Sequence, residues 1–203
     1  MSKFLLHTCC APCSIAIIDE LKDKFDLTVY FFNPNIYPEE EYLKRKKEVI
    51  KVCREWEVKM VDMENTAATP PEPPLGKRGI NYGQSHWQEA VKGLEDEPEM
   101  GARCPVCFLV RLESAAQYAS RNGFEWFATS LTMGRNKKAD VIHPIGTALA
   151  KKYGVKFFEE DWKKKGRQEK GKKMVEERGI YRQNYCGCKY SLKTVIARNE
   201  RSE

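Results

Sequence analysis

The chain has no long hydrophobic run and no recognisable export signal. A membrane-spanning helix needs roughly 20 consecutive apolar residues, and no such stretch occurs among the 203 residues. The N-terminal residues Met1–Leu6 lead directly into His7-Thr8-Cys9-Cys10, without the apolar segment and cleavage site of a secretory signal. We therefore expect a cytoplasmic protein that makes no contact with a membrane.

The composition also lacks the marks of a disordered chain or a disulfide scaffold. Hydrophobic residues make up 41% and charged residues 32%, as in a globular protein. In a reducing compartment the eight cysteines are more consistent with metal binding or catalysis than with disulfide bonds.

Short apolar segments alternate with segments of helical periodicity. Residues 27–32 are rich in β-forming side chains, whereas residues 14–25 place apolar residues at helical spacing. This alternation predicts a layered, Rossmann-like α/β domain with a mainly parallel sheet and a helical elaboration that carries cysteines. Further strands are predicted at residues 3–7, 58–61, 124–128 and 156–158, and further helices at 38–56, 86–94 and 105–121.

We expect one domain over residues 1–203, with a single candidate insertion or flap at residues 65–104. Residues 65–84 hold four prolines and three glycines among polar residues and predict a loop. A second local feature is the basic stretch 163–173, which is either a solvated helix face or a phosphate-binding surface for RNA.

Seven of the eight cysteines form three groups, Cys9-Cys10-Ala11-Pro12-Cys13, Cys104-Pro105-Val106-Cys107 and Cys186-Gly187-Cys188. Each group lies at a predicted element boundary, and Pro12 and Pro105 stand where helices begin. Helix N-termini lower thiol pKa values and stabilise an anionic metal centre. Cys53 stands alone and is expected to be a core residue.

Three kinds of site compete for these thiols. A structural zinc site needs only four. A thioredoxin-like pair, Cys10 and Cys13, would leave five of the grouped cysteines unexplained. A [4Fe–4S] cluster takes four thiolates and leaves three for an adjacent metal, so the number of cysteines favours a cluster with a second centre beside it.

Several motifs resemble the QueH family of epoxyqueuosine reductases. They run in order from Leu6 to Ser191 and comprise Leu6-His7-Thr8-Cys9-Cys10-Ala11-Pro12-Cys13, Asn33-Pro34-Asn35-Ile36, Glu97-Pro98-Glu99, Arg103-Cys104-Pro105-Val106-Cys107, Thr129-Ser130-Leu131-Thr132 and Tyr181-Arg182-Gln183-Asn184-Tyr185-Cys186-Gly187-Cys188.

The resemblance implies an oxidoreductase that converts the epoxide of epoxyqueuosine in tRNA into the cyclopentene of queuosine without cobalamin. It also implies a [4Fe–4S] cluster, an additional mononuclear iron, and a fold of the PP-loop or HUP type. The glycine-rich phosphate loop of ATP-using PP-loop enzymes is replaced here by residues 8–13, so we do not expect ATP to bind.

These considerations yield a set of candidate site residues. All seven grouped cysteines are candidate metal ligands, Cys9, Cys10, Cys104, Cys107, Cys186 and Cys188 are candidate cofactor ligands, and Cys9, Cys10, Cys13, Glu97 and Glu99 are candidate catalytic residues. We expect Cys104 and Cys107 to hold the cluster with two thiolates from the other groups, and the rest to hold the second metal. The sequence does not decide which two.

Substrate contacts are expected from two further segments. Hydroxyls at the end of a strand contact sugar or phosphate or cap the next helix, and aromatic side chains stack on an unpaired base. The candidate substrate-binding residues are Thr129, Ser130, Thr132, Lys137, Tyr181, Arg182 and Tyr185, with Arg135 and Lys138 beside them.

Three functions remain in competition on sequence grounds. The first is the tRNA epoxide reductase, with an external electron donor such as ferredoxin or flavodoxin. The second is an iron–sulfur enzyme that inserts sulfur into tRNA, which normally requires ATP. The third is a zinc protein that binds RNA without catalysis.

Overall fold

Five parallel strands form one sheet in the order β3-β2-β1-β4-β5. The structure, a computed structural model, describes residues 1–63 and 80–192. The strands are Lys3–His7 (β1), Asp26–Phe31 (β2), Lys59–Asp62 (β3), Trp126–Thr129 (β4) and Lys156–Phe157 (β5). The helices are Ala11–Leu21 (α1), Glu39–Glu55 (α2), Ile80–Ala90 (α3), Arg103–Arg121 (α4), Ala139–Tyr153 (α5) and Arg167–Glu177 (α6), with a 3-10 helix at Ser130–Met133.

Strand β1 is central, since it pairs with both β2 and β4. Its side chains alternate between two cores: Phe4 and Leu6 pack with α1 and α2, whereas Leu5 packs with residues of α4 and α5. Because both faces of the sheet are covered by helices, the strands read as continuous apolar runs. The predicted α/β class is therefore confirmed.

Most predicted elements are present, with boundaries shifted by a few residues. The helix expected from residue 14 begins at Ala11, and the one expected from residue 86 begins at Ile80, inside the predicted loop 65–84. Residues 64–79 lie outside the described part of the chain, so the flap at residues 65–104 stays a prediction. Cys53 is buried in the core beside α1, as expected, and burial raises the pKa of its thiol to about 12.

The strand order positions the site. Going from β1 to β2 and β3 the chain moves to one side of the sheet, and from β4 to β5 it moves to the other. Ligands bind beyond the carboxyl ends of strands where the order reverses in this way. That point lies between β1, which leads into Cys9, and β4, which leads into Ser130. Among the described residues, none of the helices is long and apolar enough to span a bilayer.

Candidate metal centre

Three cysteines meet where β1 ends and α1 begins. Cys10 is the N-cap residue of α1, with Pro12 in the first turn. The sulfur atoms of Cys9, Cys10 and Cys13 all lie within 4.8 Å of one another, and those of Cys9 and Cys10 are 3.7 Å apart. Thiolates bound to one ion at about 2.3 Å lie at such separations. This cysteine triad is therefore suited to hold a single metal ion.

The thiols of the triad differ in acidity. Hydrogen bonds from Cys10 and Cys13 lower the pKa of Cys9 below its usual value, despite its burial. Burial raises the pKa of Cys10 to about 12, and its sulfur accepts a hydrogen bond from Nε2 of Gln183 at 3.0 Å. One thiolate is thus stabilised in the metal-free protein, and a bound cation is needed to ionise the others.

The other four cysteines line one small cavity of about 30 Å³. Cys104 and Cys107 project from the first turns of α4, and Cys186 and Cys188 belong to the loop after α6. Burial raises the pKa of Cys104 and Cys107, and that of Cys188 to about 11. Cys104 and Cys107 therefore lie with the two C-terminal cysteines around one cavity, and Cys186 also lines a groove that contains Cys13.

The loop that carries Cys186 and Cys188 is fixed by contacts with the segment after β2. Ile36 forms an isolated antiparallel bridge with Cys188, and the amide of Tyr37 donates to the carbonyl oxygen of Gly187 at 2.8 Å. These contacts connect residues about 150 positions apart, which explains why the grouping could not be read from spacing.

Sulfur separations distinguish the two groups. Within the described ranges, the triad is the only set of three or more metal-ligating side chains whose atoms lie within 4.8 Å of one another. The four cysteines around the cavity are therefore spread more widely. A cubane cluster requires this, because each thiolate binds a different iron atom.

Two basic side chains line the cavity together with the thiols. Arg111 follows Cys107 by one turn of α4 and is almost fully buried at the cavity. Lys137 borders the same cavity. Burial disfavours its charged form, but the neighbouring cysteine sulfurs, above all that of Cys9, raise the pKa of Lys137 above the usual value. Arg111 was missed in the sequence, although its spacing of four residues from Cys107 places both on one helix face.

The family model described as Epoxyqueuosine reductase QueH matches residues 4–70 and 75–194. The chain belongs to the QueH family. It is similar to proteins named Epoxyqueuosine reductase QueH from Histophilus somni (38% identity over 95% of this chain and 73% of that protein), Haemophilus influenzae (36%, 95% and 72%) and Thermotoga maritima (35%, 95% and 91%). QueH proteins are oxidoreductases by name, so this chain is assigned to an oxidoreductase family.

Beside the triad of this QueH member lies an open groove of about 820 Å³. Arg135, Lys137, Arg182 and Tyr185 line it, together with Cys13, Glu99 and Cys186. The groove therefore brings three predicted substrate-binding residues, and Arg135 beside them, next to a cysteine of each group. Its size suits a nucleoside-sized ligand, whereas the smaller, cysteine-lined cavity suits a metal centre.

Tyr181 lies apart from the groove lining. Its hydroxyl donates to Oε2 of Glu41 at 2.8 Å, and the ammonium of Lys44 lies 4.9 Å from its ring centre. These contacts attach the segment before Cys186 to α2. Its predicted stacking on a base stays a prediction, and the contacts seen here are structural.

Three predicted substrate contacts are buried: Thr129, Ser130 and Thr132 are 2%, 0% and 1% exposed. The hydroxyl of Thr129 accepts from the amide of Leu131 at 3.1 Å, and that of Thr132 donates to the carbonyl oxygen of Glu160. An RNA sugar or phosphate does not reach side chains so enclosed. Thr129 caps the 3-10 helix, as the sequence also allowed, and Thr132 connects that helix to the segment after β5.

His7 and Thr129 form a buried pair beneath the triad. The Nδ1 atom of His7 is 2.8 Å from Oγ1 of Thr129, and its Nε2 is 3.2 Å from the carbonyl oxygen of Phe32. Burial lowers the pKa of His7 to about 3, so the ring is neutral at physiological pH. It packs at the end of β1.

The two candidate acids have different surroundings. Glu97 accepts the amide of Ala102 at 2.7 Å, which orders the turn before α4. Glu99 is exposed and lines both the cavity and the groove. Glu99 is therefore the better placed of the two to exchange a proton with solvent.

The basic stretch 163–173 is largely paired with acids. Arg167 is buried and binds Glu20 through Nε at 2.6 Å, and Lys170 binds Asp19 at 2.7 Å. These pairs join α6 to α1. Arg167 is buried, but the paired lysines of this stretch are exposed, so it is mainly a solvated surface, as the sequence allowed. Lys172 also lines the groove.

Proposed function

We propose that this protein is an epoxyqueuosine reductase that removes the epoxide oxygen of epoxyqueuosine in tRNA and leaves the cyclopentene of queuosine. The observation that carries the proposal is the arrangement of seven sulfur atoms, three within 4.8 Å of one another and four around a neighbouring cavity, beside a groove of about 820 Å³. The names of the relatives supply the substrate.

The reaction defines what the site must provide. Conversion of an epoxide into an alkene consumes two electrons and two protons and releases the oxygen as water. The electrons are assigned to an external one-electron donor of the ferredoxin or flavodoxin class, in the cytoplasm. The site must accept them singly and bind the oxygen as it departs.

We assign a [4Fe–4S] cluster to Cys104, Cys107, Cys186 and Cys188, and a single iron to Cys9, Cys10 and Cys13. Sulfur spacing supports this division, because a cubane separates its thiolates more widely than one ion does. When bound, these groups would supply single-electron transfer and Lewis acidity toward the epoxide oxygen. The assignment moves Cys9 and Cys10 from the expected cofactor set to the second metal.

The protein side chains then have separate roles. On the groove wall, Tyr185 stacks on the extruded base and Arg182 contacts the adjoining phosphate. Lys137, which borders both the cavity and the groove, places its positive charge where the oxygen departs. Glu99 passes protons from water to the groove. The fully enclosed His7 stays neutral and supports the triad from below.

The first experiment is anaerobic purification followed by iron and sulfide analysis, with assay of epoxyqueuosine-containing tRNA by nucleoside mass spectrometry. The proposal predicts about four sulfides, iron in excess of sulfide, and dithionite-dependent formation of queuosine. Stoichiometric zinc without sulfide would instead identify an RNA-binding zinc protein. A thiolated nucleoside formed only with ATP would identify a sulfur-inserting enzyme.

Single cysteine variants test the division of ligands. Cys13→Ala is expected to lose the excess iron and keep the sulfide, whereas Cys107→Ala loses sulfide as well. Cys53→Ala, the buried cysteine away from both groups, is the matched control and keeps both. Loss of all sulfide from Cys13→Ala would contradict the division.

A further inference from the structure

Arg111 holds a positive charge inside the protein without a carboxylate partner. Its residue is 2% exposed. Nη2 donates to the neutral Oδ1 of Asn33 at 2.6 Å, and Nε is buried with no hydrogen-bond partner. Within residues 1–63 and 80–192 it forms no ion pair with an acid. Burial of a guanidinium lowers the stability of the folded protein unless a negative charge lies nearby.

Arg103, a second buried arginine on the same helix, has hydrogen-bond partners that differ from those of Arg111. Arg103 is 3% exposed and lines the same cavity. Its Nη1 donates to three backbone carbonyl oxygens, those of Leu94, Glu95 and Glu97, at 2.9, 2.9 and 2.5 Å. Arg103 therefore orders the turn before α4. Arg111 differs, because the hydrogen bond that the structure gives its guanidinium goes to the side chain of Asn33 and its Nε has no partner among the described residues.

Thiols are the groups of this cavity that a bound metal would leave negatively charged. Arg111 lines the cavity of the four cysteines. The buried guanidinium thus lines the same cavity as the four thiols that would carry negative charge there.

We propose that Arg111 is a positioning residue that compensates the negative charge of the metal centre at these cysteines and raises its reduction potential. This inference rests on the proposed function, since it requires a redox centre in the cavity. The addition of an electron makes a thiolate-bound cluster more negative, and a buried cation next to it stabilises the reduced form. Net charge near a cluster is one of the factors that set its potential.

The test compares Arg111→Gln and Arg111→Lys with Arg121→Gln in the anaerobically reconstituted protein. Arg121 is exposed at the end of the same helix, about 15 Å further along its axis. Redox titration followed by paramagnetic resonance gives the cluster potential. We expect Arg111→Gln to shift it to a more negative value, Arg111→Lys to remain close to the wild type, and Arg121→Gln to leave it unchanged.

The metal-free proteins supply a second measurement. Without the centre, the charge of Arg111 has little compensation, so Arg111→Gln is expected to unfold at the same or a higher temperature than the wild type. With the centre bound, we expect Arg111→Gln to unfold at a lower temperature than the wild type. We also expect it to release iron to a chelator faster than the wild type.

Each contrary result has a distinct meaning. An unchanged potential in folded Arg111→Gln, or equal shifts in the Lys and Gln variants, would overturn the electrostatic role. Failure of metal-free Arg111→Gln to fold would show that Arg111 is structural instead. A wild-type protein without any reducible centre would overturn the proposed function itself, and this inference with it.

Discussion

The guanidinium of Arg45 donates a hydrogen bond from Nη1 to the carbonyl oxygen of Cys186, 3.1 Å away. Nη2 donates to the carbonyl oxygen of Tyr185 at 3.2 Å, and Nε binds Oε1 of Glu41 at 2.6 Å. Arg45 is 1% exposed. Helix α2 therefore holds the loop of the last two cysteines, although it contributes no thiol to either group.

Replacement of Arg45 by methionine is expected to release that loop. Loss of one member of a buried ion pair costs about 3–5 kcal/mol, since Glu41 is left with only the hydroxyl of Tyr181. We expect a lower unfolding free energy in urea and a loss of cluster sulfide. The control is Glu41→Gln/Arg45→Met, which removes both charges and should recover part of the stability. A double variant no more stable than Arg45→Met would contradict this account.

Gly187 stands between the two cysteines of this loop, with a φ of +108°. A Cβ there would lie 2.9 Å from Nη1 of Arg45 and 3.0 Å from Cγ1 of Ile36. Gly187→Ala is therefore expected to displace the loop and lower the iron and sulfide content. Gly123→Ala is the matched control, because Gly123 also has a positive φ but has open space around its Cβ position. It should cost about 1–2 kcal/mol and leave the metal content unchanged.

Local patterns were sufficient to predict the sheet. Strand β1 has the predicted bounds, Lys3–His7, because both sides of a central parallel strand are buried and its apolar run is uninterrupted. The start of α3 was placed too late because apolar residues are sparse before Trp87, and packing of that helix on α4 is not visible in local propensity.

The sequence was sufficient to predict that cysteines form the site, but not which cysteines lie together. The residue type and the spacing of the cysteines identified them as candidate ligands. That Cys107 and Cys188 line one cavity depends on the contact of residue 36 with residue 188, which local spacing does not show. The hydroxyls after β4 were placed at the ligand edge, but the pattern could not show that Ser130 is fully enclosed. Arg111 resembled any other basic residue on a helix until its burial was known.

We expect the basic residues of the groove to contribute measurably to RNA binding. Arg135 and Arg182 are exposed on its wall, and each is expected to contact a phosphate. Arg135→Ala and Arg182→Ala should each weaken tRNA binding and reduce the slope of log Kd against log salt by about 1. Fluorescence anisotropy over a range of salt concentrations measures both effects.

The control for the groove is Lys24→Ala. Lys24 is exposed beyond the end of α1, and α1 runs away from the cysteine edge of the sheet, so Lys24 lies at the opposite edge. Its replacement should change neither affinity nor slope. If it weakened binding as much as Arg182→Ala, the positive charge would act through the whole surface and the groove would have no special role.

The contact between α1 and α6 predicts how stability depends on pH. The hydrogen bonds from Arg167 hold the pKa of Glu20 below its usual value. A carboxyl group with a lowered folded-state pKa contributes its full stability above the unfolded pKa of about 4.3. That contribution is lost as pH falls below this value, through the folded-state pKa. We expect the unfolding temperature of the metal-free protein to fall steeply in that range.

Arg167→Met is expected to lower the unfolding free energy at pH 7 by about 2 kcal/mol, the scale of hydrogen bonds to a charged group, and to flatten the acid dependence. The control is Lys173→Met, since Lys173 pairs with Glu177 at 3.8 Å on the exposed face of the same helix. Exposed pairs of this kind contribute less than about 0.5 kcal/mol. Thermal unfolding between pH 3 and pH 7 separates the two variants. If Arg167→Met retained the wild-type pH profile, the acid sensitivity would originate elsewhere, and the pairing of α6 with α1 would rest on apolar contacts.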